Sequence, residues 1–255
     1  MNNLFVFDLD DTLIDNVHDY ADPILDACKL IVHTLGNKAP HVTKIITLEQ
    51  EIDKRKVEEI NPSTGSPYLF SMERFPGSLV EVYRELCRYS GLSPNKEIEI
   101  KLYDIGMTAF DDGRYLENVN PYVHEVLGFL RQNNDQLILC TKGDRRVQER
   151  KIRALRDSGV DITHFREILI VDKKDTELFS AIKRGHETYS CYSVGNSYQS
   201  DIVPALEAGY KGIYIPVETW EILGQMDKIL GQIDYGKVIV LQTIKDLILD
   251  YARLR

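Results

Sequence analysis

The chain has 255 residues, 43% hydrophobic and 28% charged, with a formal net charge of −9. That is the composition of a globular protein with enough chain for a sizeable core, and its acidic balance argues against nonspecific binding to nucleic acid or an anionic membrane surface. No apolar run approaches the roughly 18 residues of a membrane span, and Asp8, Asp10 and Asp11 interrupt any secretory apolar stretch, so a cytoplasmic protein is expected.

The first predicted element is a strand, Leu4–Phe7, running straight into Asp8-Leu9-Asp10-Asp11-Thr12. If the pleat continued, its period of two would aim Asp8 and Asp10 to one side, where paired carboxylates at the carboxyl edge of a parallel sheet can share a cation and a phosphoryl group. The bland alternative is a turn with a helix cap. After this the pattern changes for about 100 residues, far longer than an ordinary connection. Apolar spacing over Tyr20–Leu35, Leu48–Ile60 and Leu79–Tyr89 predicts helices, with Asn61–Pro67 as a loop between them.

From Tyr115 onward strands and helices alternate. Helical patterns cover Val123–Gln132 and Arg145–Ser158, and strands are predicted at Gln136–Cys140, Glu167–Val171, Ser190–Val194, Gly212–Ile215 and Val238–Leu241. Alternation of this kind predicts an α/β fold, a mostly parallel sheet with helices on both faces. Three strand ends carry polar groups. Thr141 precedes Gly143, where a hydroxyl and backbone N–H groups can receive an anion. Lys173 and Lys174 follow the third strand, and Gly195-Asn196-Ser197 leads to Asp201, oxygen donors of the type Mg²⁺ prefers. The cysteines (Cys28, Cys87, Cys140, Cys191) lack CxxC spacing and the histidines are scattered, so reduced core thiols are expected and a zinc centre is not.

Taken in order, the four polar strand ends resemble the haloacid dehalogenase (HAD) superfamily, over nearly the whole chain. The resemblance implies a HAD-like doubly wound, Rossmann-like core at 1–15 and 116–255 with an inserted α-helical cap domain at 16–115. It implies Asp8 as nucleophile, Asp10 as general acid and base, Thr141 as the second-motif hydroxyl and Lys173 as the third-motif lysine, with Lys174 as the fallback. Mg²⁺ is then expected on Asp8, the carbonyl of Asp10, Asp201 and Asn196, the last directly or through water. Asn196 departs from the family pattern, which has an acid there, so weaker metal binding is expected. Residues such as His18, Tyr68 and Arg74 in the inserted region are candidates for substrate contact, although ordinary structural roles are the default for each.

The function implied is Mg²⁺-dependent hydrolysis of a small phosphomonoester through an aspartyl-phosphate, with a small-molecule phosphate ester as partner. A β-phosphoglucomutase-like phosphoryl transfer is the first alternative. A 2-haloacid dehalogenase is disfavoured because it has no use for Asp10 or Asp201, and a noncatalytic phospho-ligand binder because Asp8, Asp10, Thr141, Lys173 and Asp201 are all present. A phospho-accepting receiver module is excluded by its shorter length and by the strand that bears its nucleophile.

Overall fold

The computed structural model describes residues 3–219 and 224–254. The chain divides into two compact units, Met1–Asn16 with Tyr115–Arg255 and Val17–Arg114. Among the described residues no helix is long and apolar enough to cross a membrane.

The first strand, β1 (Asn3–Phe7), is buried along its whole length. The chain then enters the helical unit through α1 (Ala21–Leu35), α2 (Val42–Lys56), α3 (Arg74–Tyr89) and α4 (Lys96–Met107), and leaves it through the short α5 (Asp112–Glu117). Three of these helices were expected, with ends that shift for local reasons. α2 begins early because the His41 ring accepts the Thr43 N–H, and α3 begins ahead of Leu79 because Pro76 is tolerated in a first turn. α4, which the apolar spacing did not single out, is started by Asn95, whose side chain caps the Glu97 N–H at 2.8 Å. Within this unit Phe75, Leu79, Val82, Leu86 and Leu102 are buried, and Gly106 lets α4 meet α3, since a Cβ there would lie 2.6 Å from Pro76 Cα. Arg74, a candidate for substrate contact, instead forms a buried ion pair with Asp53 at 3.0 Å.

The remaining elements are α6 (Val123–Gln132), β2 (Gln136–Lys142), α7 (Arg145–Asp157), β3 (Phe165–Val171), α8 (Thr176–Arg184), β4 (Ser190–Gly195), α9 (Val203–Glu207), β5 (Lys211–Tyr214), α10 (Met226–Leu230), β6 (Val238–Val240) and α11 (Asp246–Leu249). The six strands form one sheet in the order β3-β2-β1-β4-β5-β6, every pairing parallel. This is the doubly wound α/β fold expected. Alternation along β1 sorts the core: Phe5 and Phe7 pack with Val126, Leu130 and Leu155 on one face, while Leu4 and Val6 pack with Phe179 and Ala205 on the other. All four cysteines are buried and unpaired.

The strand order reverses at β1, so the chain leaves β1 and β4 toward opposite sides of the sheet. In open α/β sheets that switch point is where ligands bind. Asp8 follows β1 and Asn196 follows β4, the two strands that are neighbours there.

Candidate active site

The backbone after β1 is held as a compact loop. Asp8 N–H still bonds to Val194 O at 2.9 Å, and the Leu13 and Ile14 N–H groups both return to Leu9 O. Asp11 sits at φ 55°, a left-handed conformation that Asp adopts more readily than most residues. Its carboxylate then accepts the Asn16 N–H at 2.7 Å.

Asp8 is buried, and its Oδ1 lies 2.5 Å from Lys174 Nζ. The same ammonium reaches Asp201 Oδ1 at 2.6 Å, so carboxylates from the ends of two neighbouring strands meet on one cation. Burial, then Asp201, pushes the Asp8 carboxyl up to about 7, against the lowering effect of Lys174; Asp10 adds to the rise. Burial alone would push the Lys174 ammonium down, but Asp201 and Asp8 outweigh it and hold the group above its ordinary value.

Here the sequence expectation needs correction. Lys173, expected as the catalytic lysine, has a side chain 78% exposed and pairs with Asp175 at 3.5 Å, whereas that of Lys174 is 4% exposed. The turn decides between them. Asp175 caps α8 by accepting the Leu178 N–H at 3.0 Å, and with that cap fixed Lys174 faces inward and Lys173 outward.

Asp201 is placed by a π-type turn, Tyr198–Ile202, a device common at functional sites. Its Oδ2 accepts the Ser197 N–H at 2.9 Å, and its backbone carbonyl accepts Ser193 Oγ–H at 2.7 Å. Gly195 is required here, since a Cβ would lie 2.5 Å from Asp201 Cγ. Asn196 is buried.

Asp10 does not share the partners of Asp8. Its Oδ1 lies 2.5 Å from Lys151 Nζ and its Oδ2 accepts from Gln148 Nε2 at 2.9 Å. Thr141 is fully buried, inside β2 rather than after it because the strand runs on to Lys142. Its hydroxyl donates to Gln148 Oε1 at 3.0 Å. Gln148 and Lys151 were missed by the sequence reading. The signal was there: on α7 they fall on the stripe of Val147, Ala154 and Leu155, so they are polar residues on a buried helical face. Arg145 and Arg146 are exposed and pair with Glu149 and Asp144.

The oxygen donors fit a hard divalent ion. Asp8 and Asp201 converge, Asn196 follows β4 and is buried, and a single ammonium leaves one of the two carboxylate charges unneutralised. Among the described residues no three His, Cys, Asp or Glu side chains gather for a metal, and the Asp10 side chain turns to Lys151 and Gln148 of α7.

The sequence model of haloacid dehalogenase-like hydrolases matches residues 3–209. The chain belongs to that hydrolase family. No curated protein matches it. Among solved structures it is similar to a haloacid dehalogenase-like hydrolase from Xanthomonas campestris, at 20% identity and TM-score 0.66 over 99% of this chain and 96% of that one. It is also similar to a 2-haloacid dehalogenase from Pseudomonas syringae pv. Tomato DC3000, at 20% identity and TM-score 0.51 over 100% of both chains. A predicted phosphoglycolate phosphatase from Haemophilus somnus 129pt matches at 17% identity and TM-score 0.54 over 98% of each. At these identities the likeness establishes the fold, which is common to phosphatases and dehalogenases alike.

Proposed function

We propose that the protein is a cytoplasmic Mg²⁺-dependent phosphomonoesterase that hydrolyses a small phosphorylated metabolite through an aspartyl-phosphate on Asp8. The observation that carries this reading is the separation of the two loop carboxylates into different environments, Asp8 against Lys174 and Asp201, Asp10 against Lys151 and Gln148. Two carboxylates with distinct surroundings are what two distinct chemical roles require. A dehalogenase needs only the first.

Asp8 attacks phosphorus, forming an Asp8 O–P bond as the bond from phosphorus to the leaving oxygen breaks, and the Asp10 carboxylic acid gives that oxygen its proton. Asp10, now a carboxylate, takes a proton from water as the water oxygen attacks phosphorus. The Asp8 O–P bond breaks, inorganic phosphate leaves, and both residues return to their starting states. Lys174 keeps a positive charge beside the transferring group, and Thr141, the second-motif hydroxyl, stays bonded to Gln148 at the edge of the site. Asp8, Asp201, Asn196 and the Asp10 carbonyl would hold Mg²⁺, which when bound neutralises charge on the phosphoryl oxygens. The helical unit is proposed as the family's cap.

The test is phosphate release from p-nitrophenyl phosphate and from sugar, nucleotide and small-acid phosphates, with and without Mg²⁺, alongside chloride release from 2-chloropropionate. Metal-dependent phosphate release that Asp8→Asn abolishes supports the reading. Chloride release without phosphate release would replace it with the dehalogenase.

A further inference from the structure

We infer that Gln148 and Lys151 of α7 are positioning residues that fix the carboxylate of Asp10 for proton transfer, tying the loop after β1 to the end of β2. The inference rests on the phosphatase reading and assigns roles to two residues that reading invokes only as the surroundings of Asp10.

The geometry is a closed chain of contacts. Thr141 Oγ–H donates to Gln148 Oε1 at 3.0 Å, which leaves the Gln148 amide nitrogen facing Asp10 Oδ2 at 2.9 Å. The opposite amide orientation would set an oxygen against the carboxylate and lose the bond to Asp10, whereas a hydroxyl can either donate or accept. Gly143 makes room, because at φ +150° a Cβ would lie 2.7 Å from Gln148 Nε2. From the other side, Lys151 Nζ reaches Asp10 Oδ1 at 2.5 Å and Asn16 Oδ1 at 2.6 Å, so one ammonium pins both ends of the loop. The Tyr115 ring lies 5.3 Å from that ammonium.

Both oxygens of Asp10 are therefore held, fixing the plane of the carboxylate while each keeps a lone pair. Burying an ammonium is costly unless it is paired. This pair is asymmetric. The Lys151 side chain is 3% exposed but that of Asp10 is 24% exposed, so the cation is enclosed and the carboxylate presents an open edge. A tethered acid needs that arrangement, since small misplacements of a catalytic group cost rate steeply.

The test compares Lys151→Met and Gln148→Leu with wild type on phenyl phosphate and 2,4-dinitrophenyl phosphate in Mg²⁺. The first substrate has a poor leaving group that needs a proton and the second does not. Each variant should lose about 100-fold in kcat/KM on phenyl phosphate and less than about tenfold on the dinitrophenyl ester, within the range general acid catalysis supplies. In an Asp10→Asn background, adding Lys151→Met should cost less than about threefold, because the group it positions is gone. Equal losses on both esters, or a full further loss in the Asp10→Asn background, would overturn the inference. Gln148→Leu serves where Lys151→Met fails to fold. Asp8→Asn separates the two levels: turnover that survives it, or wild type inert on both esters, refutes the phosphatase reading itself.

Discussion

Lys174→Met removes a cation that stands 2.5 Å from Asp8 and 2.6 Å from Asp201. It leaves two buried carboxylates facing each other without a counter-charge. Breaking a buried pair by deleting one partner costs about 3–5 kcal/mol, and at about 2–4 °C per kcal/mol for a chain of this size the melting midpoint should fall by about 10 °C. Protonating Asp8 removes one of the facing charges. Its carboxyl, already pushed up to about 7 by burial and then by Asp201, binds a proton more readily in the folded chain than in the unfolded one. The stability linked to that proton is present at low pH and lost as pH rises through about 7, so the deficit of Lys174→Met should narrow on acidification. Activity should fall about 10²–10³-fold through lost charge stabilisation. The assay is a thermal melt in chelator across pH 5–8, paired with phosphate release, and Lys173→Met is the comparison because its side chain is 78% exposed. If Lys173→Met lost as much activity as Lys174→Met, the assignment of the inward lysine would be wrong.

Asn196→Asp adds a charge at the buried position that follows β4, and calorimetric titration should show Mg²⁺ binding tightened on the order of tenfold if the residue is a ligand; an unchanged affinity would remove Asn196 from the ligand set. Gly195→Ala forces its Cβ against Asp201 and should cut turnover at least about tenfold, whereas Gly185→Ala, with nothing within 4 Å of its added Cβ, should not. In the helical unit, burial and then Asp53 push the Glu49 carboxyl up to about 8, with Arg74 opposing. Its folded form holds a proton that the unfolded chain releases near 4.5, so stability declines as pH rises between these values. Glu49→Gln mimics the neutral form and should raise the melting midpoint at pH 8 by about 5 °C; a pH slope equal to wild type would contradict this account.

What the sequence made legible follows from which interactions are local. Short apolar runs and the turn residues that follow them locate β1, β2 and β4, and the polar groups at their ends come with them. β3 is legible as a strand too, but its place is not: it lies at the sheet edge with Ile168 36% exposed, and the order of strands is not a local property. The choice between Lys173 and Lys174 hangs on a turn whose outcome the Asp175 cap decides, and two adjacent lysines carry no periodic signal that separates them.

The partners of Asp10 lie deeper still, since Gln148 and Lys151 are 138 and 141 residues away in sequence. Helical spacing does place both on the buried stripe of α7, so the sequence poses the question of what an amide and an ammonium would meet there. The answer needs the tertiary step. β2 pairs with β1 in register from Leu4↔Gln136 to Phe7↔Leu139, so the helix that leaves β2 begins beside the end of β1. Parallel neighbours deliver their carboxyl ends to the same edge, and that is why the residues completing the surroundings of Asp10 come from the helix after the adjacent strand.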